Sequence, residues 1–171
     1  MKKKFLAALI LAAFFASSAL AAQRIGKFES RTLNEEVIDQ SIFEKSKLTV
    51  LNFWGTFCPP CLREMPALGK LSSEFDPSDV QIVGVVVDWY DASGKYSEAQ
   101  VKKALSLIKK TGADYTHILL SVSLLDNVGS IEAVPLTCFV NRSGEVVDAV
   151  LGALSESDWR SRIQSNLEKV K

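Results

Sequence analysis

Two patterns of apolar residues alternate along this chain. Continuous apolar runs occur from Thr49 to Phe53 and again from Val80 to Val87 (Val-Gln-Ile-Val-Gly-Val-Val-Val), as expected of strands covered on both faces in a parallel sheet. Elsewhere the apolar positions recur every three or four residues. Cys58 to Phe75 carries Leu62, Met65, Leu68, Leu71 and Phe75 on that period, and Ser97 to Lys110 carries Val101, Ala104, Leu105 and Ile108 on one face. Both stretches read as helices. Asp76-Pro77-Ser78 ends the first and Gly112 the second. Pro66 lies inside the first helix, where it removes one N–H and predicts a kink near Leu62.

Shorter strands are read at His117 to Leu120 and Thr137 to Val140. Asn141-Arg142-Ser143-Gly144 forms a hairpin turn, and Glu145 to Leu151 is the returning strand. Ser155 opens a C-terminal helix with Asp158 in its first turn and Lys169 and Lys171 at its end, as the helix dipole favours. Near the start, Ile25 to Leu33 and Glu36 to Ile38 pair as a small N-terminal β-hairpin. The order β-α-β-α-β-β-α predicts an α/β fold, with a central mixed β-sheet flanked by helices.

The first residues have the three parts of a secretory signal. Lys2, Lys3 and Lys4 form a cationic start, Phe5 to Phe15 an uncharged apolar stretch, and Ala19-Leu20-Ala21 a small-x-small cleavage site. Residues 1–21 are therefore read as a signal peptide and 22–171 as the folded domain. The apolar run is short for a membrane span and ends at Ser17-Ser18. No cysteine sits at the cleavage site, so a lipid anchor is not indicated. Export places the protein in an oxidising compartment, periplasmic or otherwise extracytoplasmic.

Composition narrows the partners. The 171-residue chain has 20 basic and 20 acidic residues, and losing the three signal lysines leaves it slightly acidic. There is no basic patch to suggest nucleic acid. His117 is the only histidine and lacks neighbours at ligand spacing, so neither a metal nor a cofactor is expected. The working expectation for assembly is a monomer.

The chemistry concentrates in Trp54-Gly55-Thr56-Phe57-Cys58-Pro59-Pro60-Cys61, between the first buried strand and the first helix. Two cysteines separated by two residues at such a turn form a redox motif. Helix N–H groups and the helix dipole favour a thiolate at Cys58, and thiolates, not thiols, attack disulfides. A purely structural bridge is the plainer alternative, but so short a loop restrains the unfolded chain only weakly. Cys58 is the expected nucleophile, and Cys61, one turn on and facing inward, the resolving thiol. Pro59 and Pro60 suit the first helical turn. They also withhold two N–H donors and supply no positive charge, which predicts a reducing pair.

These residues resemble the thioredoxin superfamily, and within it the exported TlpA/ResA-like branch. The likeness rests on Asn52 through Pro66, on Val134-Pro135-Leu136-Thr137, and on the hairpin Phe139 to Val147, and it spans nearly all of the chain after the signal. It implies a thioredoxin-like fold and a protein-disulfide reductase acting on disulfide-containing exported proteins, apocytochrome c in cytochrome c biogenesis among them. A membrane thiol–disulfide donor would supply electrons. It also implies a cis bond before Pro135, with the Val134 backbone exposed to a substrate strand. Phe57 stands where the family usually has tryptophan, Leu136 where it has threonine, and Asn52 where cytoplasmic thioredoxins bury an aspartate.

Several further residues invite a role. Trp54 is read as a shield for the pair and part of the substrate-binding surface. Asp88, at the end of the parallel strand, is a candidate proton acceptor for Cys61. Glu64 belongs to the family pattern, and on this helix reads equally as a surface or capping residue. Trp89, Tyr90 and Tyr96 fall in a loop that could rim the site, and Cys138 alternates into the core as an inert thiol. Competing functions on this fold are a disulfide oxidase or isomerase, a copper-binding chaperone and a thiol peroxidase. The chaperone normally uses wider cysteine spacing. The peroxidase pattern needs proline and threonine upstream of the cysteine, where Leu51 and Gly55 stand.

Overall fold

The computed structural model describes residues 23–170. The predicted signal peptide lies outside them. Five strands form the central sheet: β3 (Leu48–Trp54), β4 (Val80–Val86), β5 (Thr116–Leu119), β6 (Leu136–Asn141) and β7 (Val146–Leu151). Their spatial order is β5-β4-β3-β6-β7. β3 runs parallel to β4 and β4 to β5, while β6 and β7 are antiparallel. The sheet is thus mixed, as the element order predicted. The N-terminal hairpin is shorter than its sequence signal, with β1 (Glu29–Arg31) pairing β2 (Val37–Asp39).

Strand β3 is buried along its whole length, so its two side-chain rows feed two cores. Leu48 and Val50 meet Leu68 and Leu71 of helix α1 (Pro59–Glu74) and Trp159 and Ile163 of α4 (Glu156–Lys169). Leu51 and Phe53 face the opposite side, against Phe43 of a 3-10 turn (Gln40–Lys45) and Leu124 of α3 (Val122–Val128). Helix α2 (Glu98–Thr111) lies beside α1 and closes over Val86 and Trp54. Arg162 of α4 grips Asp148 of β7 with two 2.7 Å hydrogen bonds, tying the edge strand to the helical layer.

The helices begin and end where the sequence says. Ser97 and Ser155 cap α2 and α4 by accepting from Gln100 and Asp158 N–H, and Gly112 ends α2 in the left-handed conformation. Helix α1 continues through Pro66 to Glu74. Two readings change. Leu105 does not join the buried face of α2 but is 39 % exposed; Val101 and Ala104 carry that contact. Helix α3 has no counterpart in the predicted order. Its two turns offer only Leu124 and Val128 as buried positions, too few for a period to register.

Candidate active site

The site is built where β3 stops. Gly55 O accepts from Cys58 N at 3.1 Å, closing a tight turn that delivers Cys58 to the N-cap of α1. Cys58 and Cys61 are joined as a disulfide. Cys58 is 4 % exposed and Cys61 fully buried. Because Pro59 and Pro60 occupy the first two helical positions, the Cys58 sulfur receives a single backbone donor, Cys61 N–H at 3.2 Å. The bond between Val134 and Pro135 is cis, and the Val134 carbonyl oxygen lies 3.6 Å from Cys58 Sγ. Phe57 projects beside the pair, 63 % exposed. With Val134, Tyr90, Leu125 and Ile131 it lines a groove of about 610 Å³ opening next to Cys58.

Beneath the pair, a polar row crosses the sheet under α1. Register places Thr137 opposite Asn52, Asn52 opposite Gly84, and Gly84 opposite His117. Asn52 Nδ2 donates to Thr137 Oγ1 at 2.9 Å and to Glu64 Oε1 at 3.0 Å. Glu64 is 2 % exposed, one helical turn past Cys61, and Leu154 N–H donates to its Oε2 at 3.3 Å. Its carboxyl is pushed up to about 7 by burial, against the pull of Asn52 and Leu154. The Trp159 indole also favours the ionised form, although its Nε1 reaches no acceptor at hydrogen-bonding distance. Glu64 is therefore neither a surface nor a capping residue. A carboxyl that changes charge near neutral pH behind a resolving cysteine is suited to exchange its proton.

At the other end of the row, the ring of His117 fills the space left by Gly84. A Cβ there would come within 2.2 Å of Nδ1. Nδ1 accepts from Trp54 Nε1 at 3.2 Å, and Nε2, 3.0 Å from Ala113 O, carries the ring's proton. Tyr115 stacks on the ring at 4.4 Å between centroids. Burial drives the His117 pKa down to about 4, so the ring stays neutral over the working range.

The residues singled out from sequence do not all meet. Cys58, Cys61, Val134 and Pro135 converge at one point. Trp54 is drawn in from below: it is fully buried, packed in one cluster with both cysteines, and does not reach the surface where a substrate would bind. Its size and apolar ring suit the core beneath the turn, and the exposed aromatic beside the pair is Phe57. Asp88 lies at the site but turns toward Thr56: Oδ1 accepts from Thr56 N–H at 3.0 Å and Oδ2 from its hydroxyl at 2.5 Å. Cys138 is 1 % exposed and points to the opposite face of the sheet, its thiol pushed up to about 12 by burial. Tyr90 lines the groove, whereas Trp89 and Tyr96 turn to a separate cavity beside Ser30 and Leu119; Trp89 packs T-shaped on Tyr90 and tilted on Tyr96, with its Nε1 donating to Leu120 O at 2.8 Å.

A cysteine pair bridged at the first turn of a helix, set against a cis-proline loop at the edge of a mixed five-stranded sheet, defines a thioredoxin-like thiol–disulfide oxidoreductase. The model of the AhpC/TSA family matches residues 21–149, and the chain belongs to that family. It is 31 % identical over 147 residues to the thiol-disulfide oxidoreductase ResA of Halalkalibacterium halodurans, covering 84 % of this chain and 76 % of that protein. Against the protein of the same name from Bacillus subtilis the identity is 29 %, over 66 % of this chain and 58 % of the relative. Among solved structures, a thioredoxin-family thiol:disulfide interchange protein from Chlorobium tepidum superposes with a TM-score of 0.70 at 19 % identity. That match covers 85 % of this chain and 97 % of the other, and is a likeness of fold.

Proposed function

We propose that this chain is an extracytoplasmic protein-disulfide reductase that uses Cys58 as nucleophile and Cys61 as resolving thiol. The observation that carries this reading is the cysteine pair itself, with one sulfur under the Val134 carbonyl and the other one helical turn from a buried carboxyl of near-neutral pKa. Peroxidase chemistry, another activity possible on this fold, finds no support in Leu51 and Gly55 at the positions of its proline and threonine.

The cycle starts from the dithiol. The Cys58 thiolate attacks one sulfur of a substrate disulfide. That bond breaks, a Cys58–substrate bond forms, and the other substrate sulfur leaves as a thiolate. Cys61 then passes its proton to Glu64 and attacks Cys58 Sγ. The mixed disulfide breaks, the second substrate sulfur leaves, and the Cys58–Cys61 bond remains. Two electrons have moved from the pair to the substrate. A dithiol donor restores the pair, and the family resemblance suggests a membrane thiol–disulfide transporter.

The reducing direction is supported by how little stabilises a thiolate at Cys58. One backbone N–H reaches the sulfur, two prolines withhold theirs, and no cation lines the adjoining groove. A pair whose reduced form is poorly stabilised favours the disulfide and is a reductant. The substrate class is an extended segment of an exported protein carrying an oxidised cysteine, apocytochrome c included. Its backbone would pair with Val134, with Phe57 and Tyr90 covering its flanks.

Trapping tests the proposal. A Cys61→Ala variant, expressed with its leader, retains nucleophile and groove but lacks the resolving thiol. It should accumulate mixed disulfides through Cys58 that dithiothreitol releases, and mass spectrometry of the captured chains names the substrates. Absence of any such adduct, with wild-type protein unable to speed insulin reduction by dithiothreitol, sinks the reading.

A further inference from the structure

The turn that carries Cys58 is held from outside itself. It runs Gly55-Thr56-Phe57-Cys58, and the Gly55–Cys58 hydrogen bond is its only internal closure. Thr56, at its corner, is 6 % exposed and bonded through both its N–H and its hydroxyl to the two carboxylate oxygens of Asp88. Asp88 belongs to another segment, two residues past the end of β4, and that segment is itself fixed. Val87 N–H donates to Trp54 O at 3.0 Å, and Gln100 of α2 donates through Nε2 to Asp88 O at 3.2 Å. A two-pronged contact of this kind fixes orientation as well as position. With both oxygens turned to Thr56, Asp88 is not aimed at Cys61.

The same carboxylate lines the groove beside Phe57 and Val134. The other charged side chain lining that groove is Glu132, and Glu64 lies beneath the pair. None of these groups is positive. A negative charge beside a sulfur disfavours its thiolate and so raises the energy of the reduced pair relative to the disulfide.

We propose that Asp88 is a positioning residue with two effects: its grip on Thr56 sets the turn that presents Cys58, and its charge keeps the Cys58–Cys61 pair reducing. The proposal rests on Cys58 being the nucleophile. Position and charge separate by substitution. Asp88→Asn keeps a side chain able to accept from Thr56 N–H and donate to its hydroxyl, but removes the charge. Thr56→Val keeps the charge and the backbone hydrogen bond but loses the hydroxyl. Asp88→Ala loses everything.

The experiment equilibrates full-length mature protein with glutathione redox buffers at pH 7, and measures insulin reduction in parallel. For Asp88→Asn the equilibrium constant should move toward the dithiol by about threefold to tenfold, the size expected of one nearby, partly solvated charge. Its insulin turnover should exceed that of Asp88→Ala, because the contact with Thr56 is kept. Thr56→Val should leave the equilibrium constant within about twofold and slow turnover. Asp88→Ala should show both changes, and if it fails to fold the other two variants decide. An Asp88→Asn equilibrium constant equal to wild type, or shifted toward the disulfide, overturns the charge effect. Unchanged turnover in Thr56→Val and Asp88→Ala overturns the grip. If wild-type protein does not reduce insulin, the functional reading has failed instead.

Discussion

Replacing Glu64 by glutamine should make this protein more stable and less able to complete its cycle. The carboxyl titrates about 7 rather than at its ordinary 4.5 because burial penalises the charge. The linkage runs one way. Between pH 4.5 and 7 the folded state binds a proton that the unfolded state has released, so stability falls as pH rises through this window. Fully ionised, the group costs roughly 3 kcal/mol. Glutamine avoids that cost. With its Oε1 accepting from Leu154 N–H, its Nε2 meets Asn52, whose amide must turn over to present Oδ1 as the acceptor in place of Nδ2. Urea unfolding of oxidised protein should show Glu64→Gln more stable than wild type by about 3 kcal/mol at pH 7.5, an increase in Tm of roughly 6 to 12 °C for a domain this size. The gain should vanish at pH 4.5. The same variant should resolve mixed disulfides slowly, because Cys61 has lost its proton acceptor. A stability difference that is constant between pH 4.5 and 7.5, or a variant weaker than wild type at pH 7.5, would refute the reasoning.

His117 should show the opposite sign. Its folded pKa is lowered from 6.5 to about 4, so the unfolded state takes up a proton first and roughly 3 kcal/mol of stability is lost as pH falls through that range. His117→Phe should remove this acid-side loss and cost about 1 to 3 kcal/mol at pH 7.5 by orphaning the Trp54 indole N–H, both read from urea unfolding curves. Gly84→Ala should destabilise by about 2 kcal/mol or more, because the new methyl meets the His117 ring at 2.2 Å in a packed row. Its intrinsic Trp54 fluorescence should shift as the indole loses its fixed partner.

The Cys58–Cys61 bridge at a strand-to-helix turn was legible because its signal is local: a spacing, a turn, a flanking strand and helix; the cis bond before Pro135 was implied by the family resemblance alone. The mixed sheet was legible for a similar reason, since runs buried on both faces carry their own signature. What lay between the elements was not. Glu64 sits on the stripe Cys61, Glu64, Leu68, Leu71, spaced by threes and fours, and all four are buried. That spacing was the available signal, outweighed by the general rule that charged helix residues face water. Asn52, the one amide in β3, carried a second hint, because a buried amide requires partners. Trp54 was misplaced because an aromatic beside a reactive pair suggests a docking surface. Which way it points depends on Gly84 and His117, distant in sequence and adjacent only by strand register. Asp88 was rightly carried to the site by the parallel strands, but its partner, a threonine with no chemistry of its own, could not be foreseen.

The two faces of the sheet supply an internal comparison that bears on why Glu64 is kept. Cys61 and Cys138 are both buried cysteines, and each rests on β3 or its neighbour. Cys138 faces the layer of Phe43 and Leu124, meets no carboxyl, and has its thiol pushed up to about 12. Burial alone therefore makes a thiol inert at neutral pH. On the other face, the polar row beneath α1 puts the buried Glu64 carboxyl one helical turn from Cys61, and the proposed cycle assigns it the Cys61 proton. As pH rises, the row loses stability through Glu64 between pH 4.5 and 7 and gains it through His117 between pH 4 and 6.5, in overlapping windows of opposite sign. Between pH 4.5 and 6.5 the two trends nearly cancel. The row thus holds a carboxyl of near-neutral pKa beneath the disulfide without a steep dependence of stability on pH between 4.5 and 6.5.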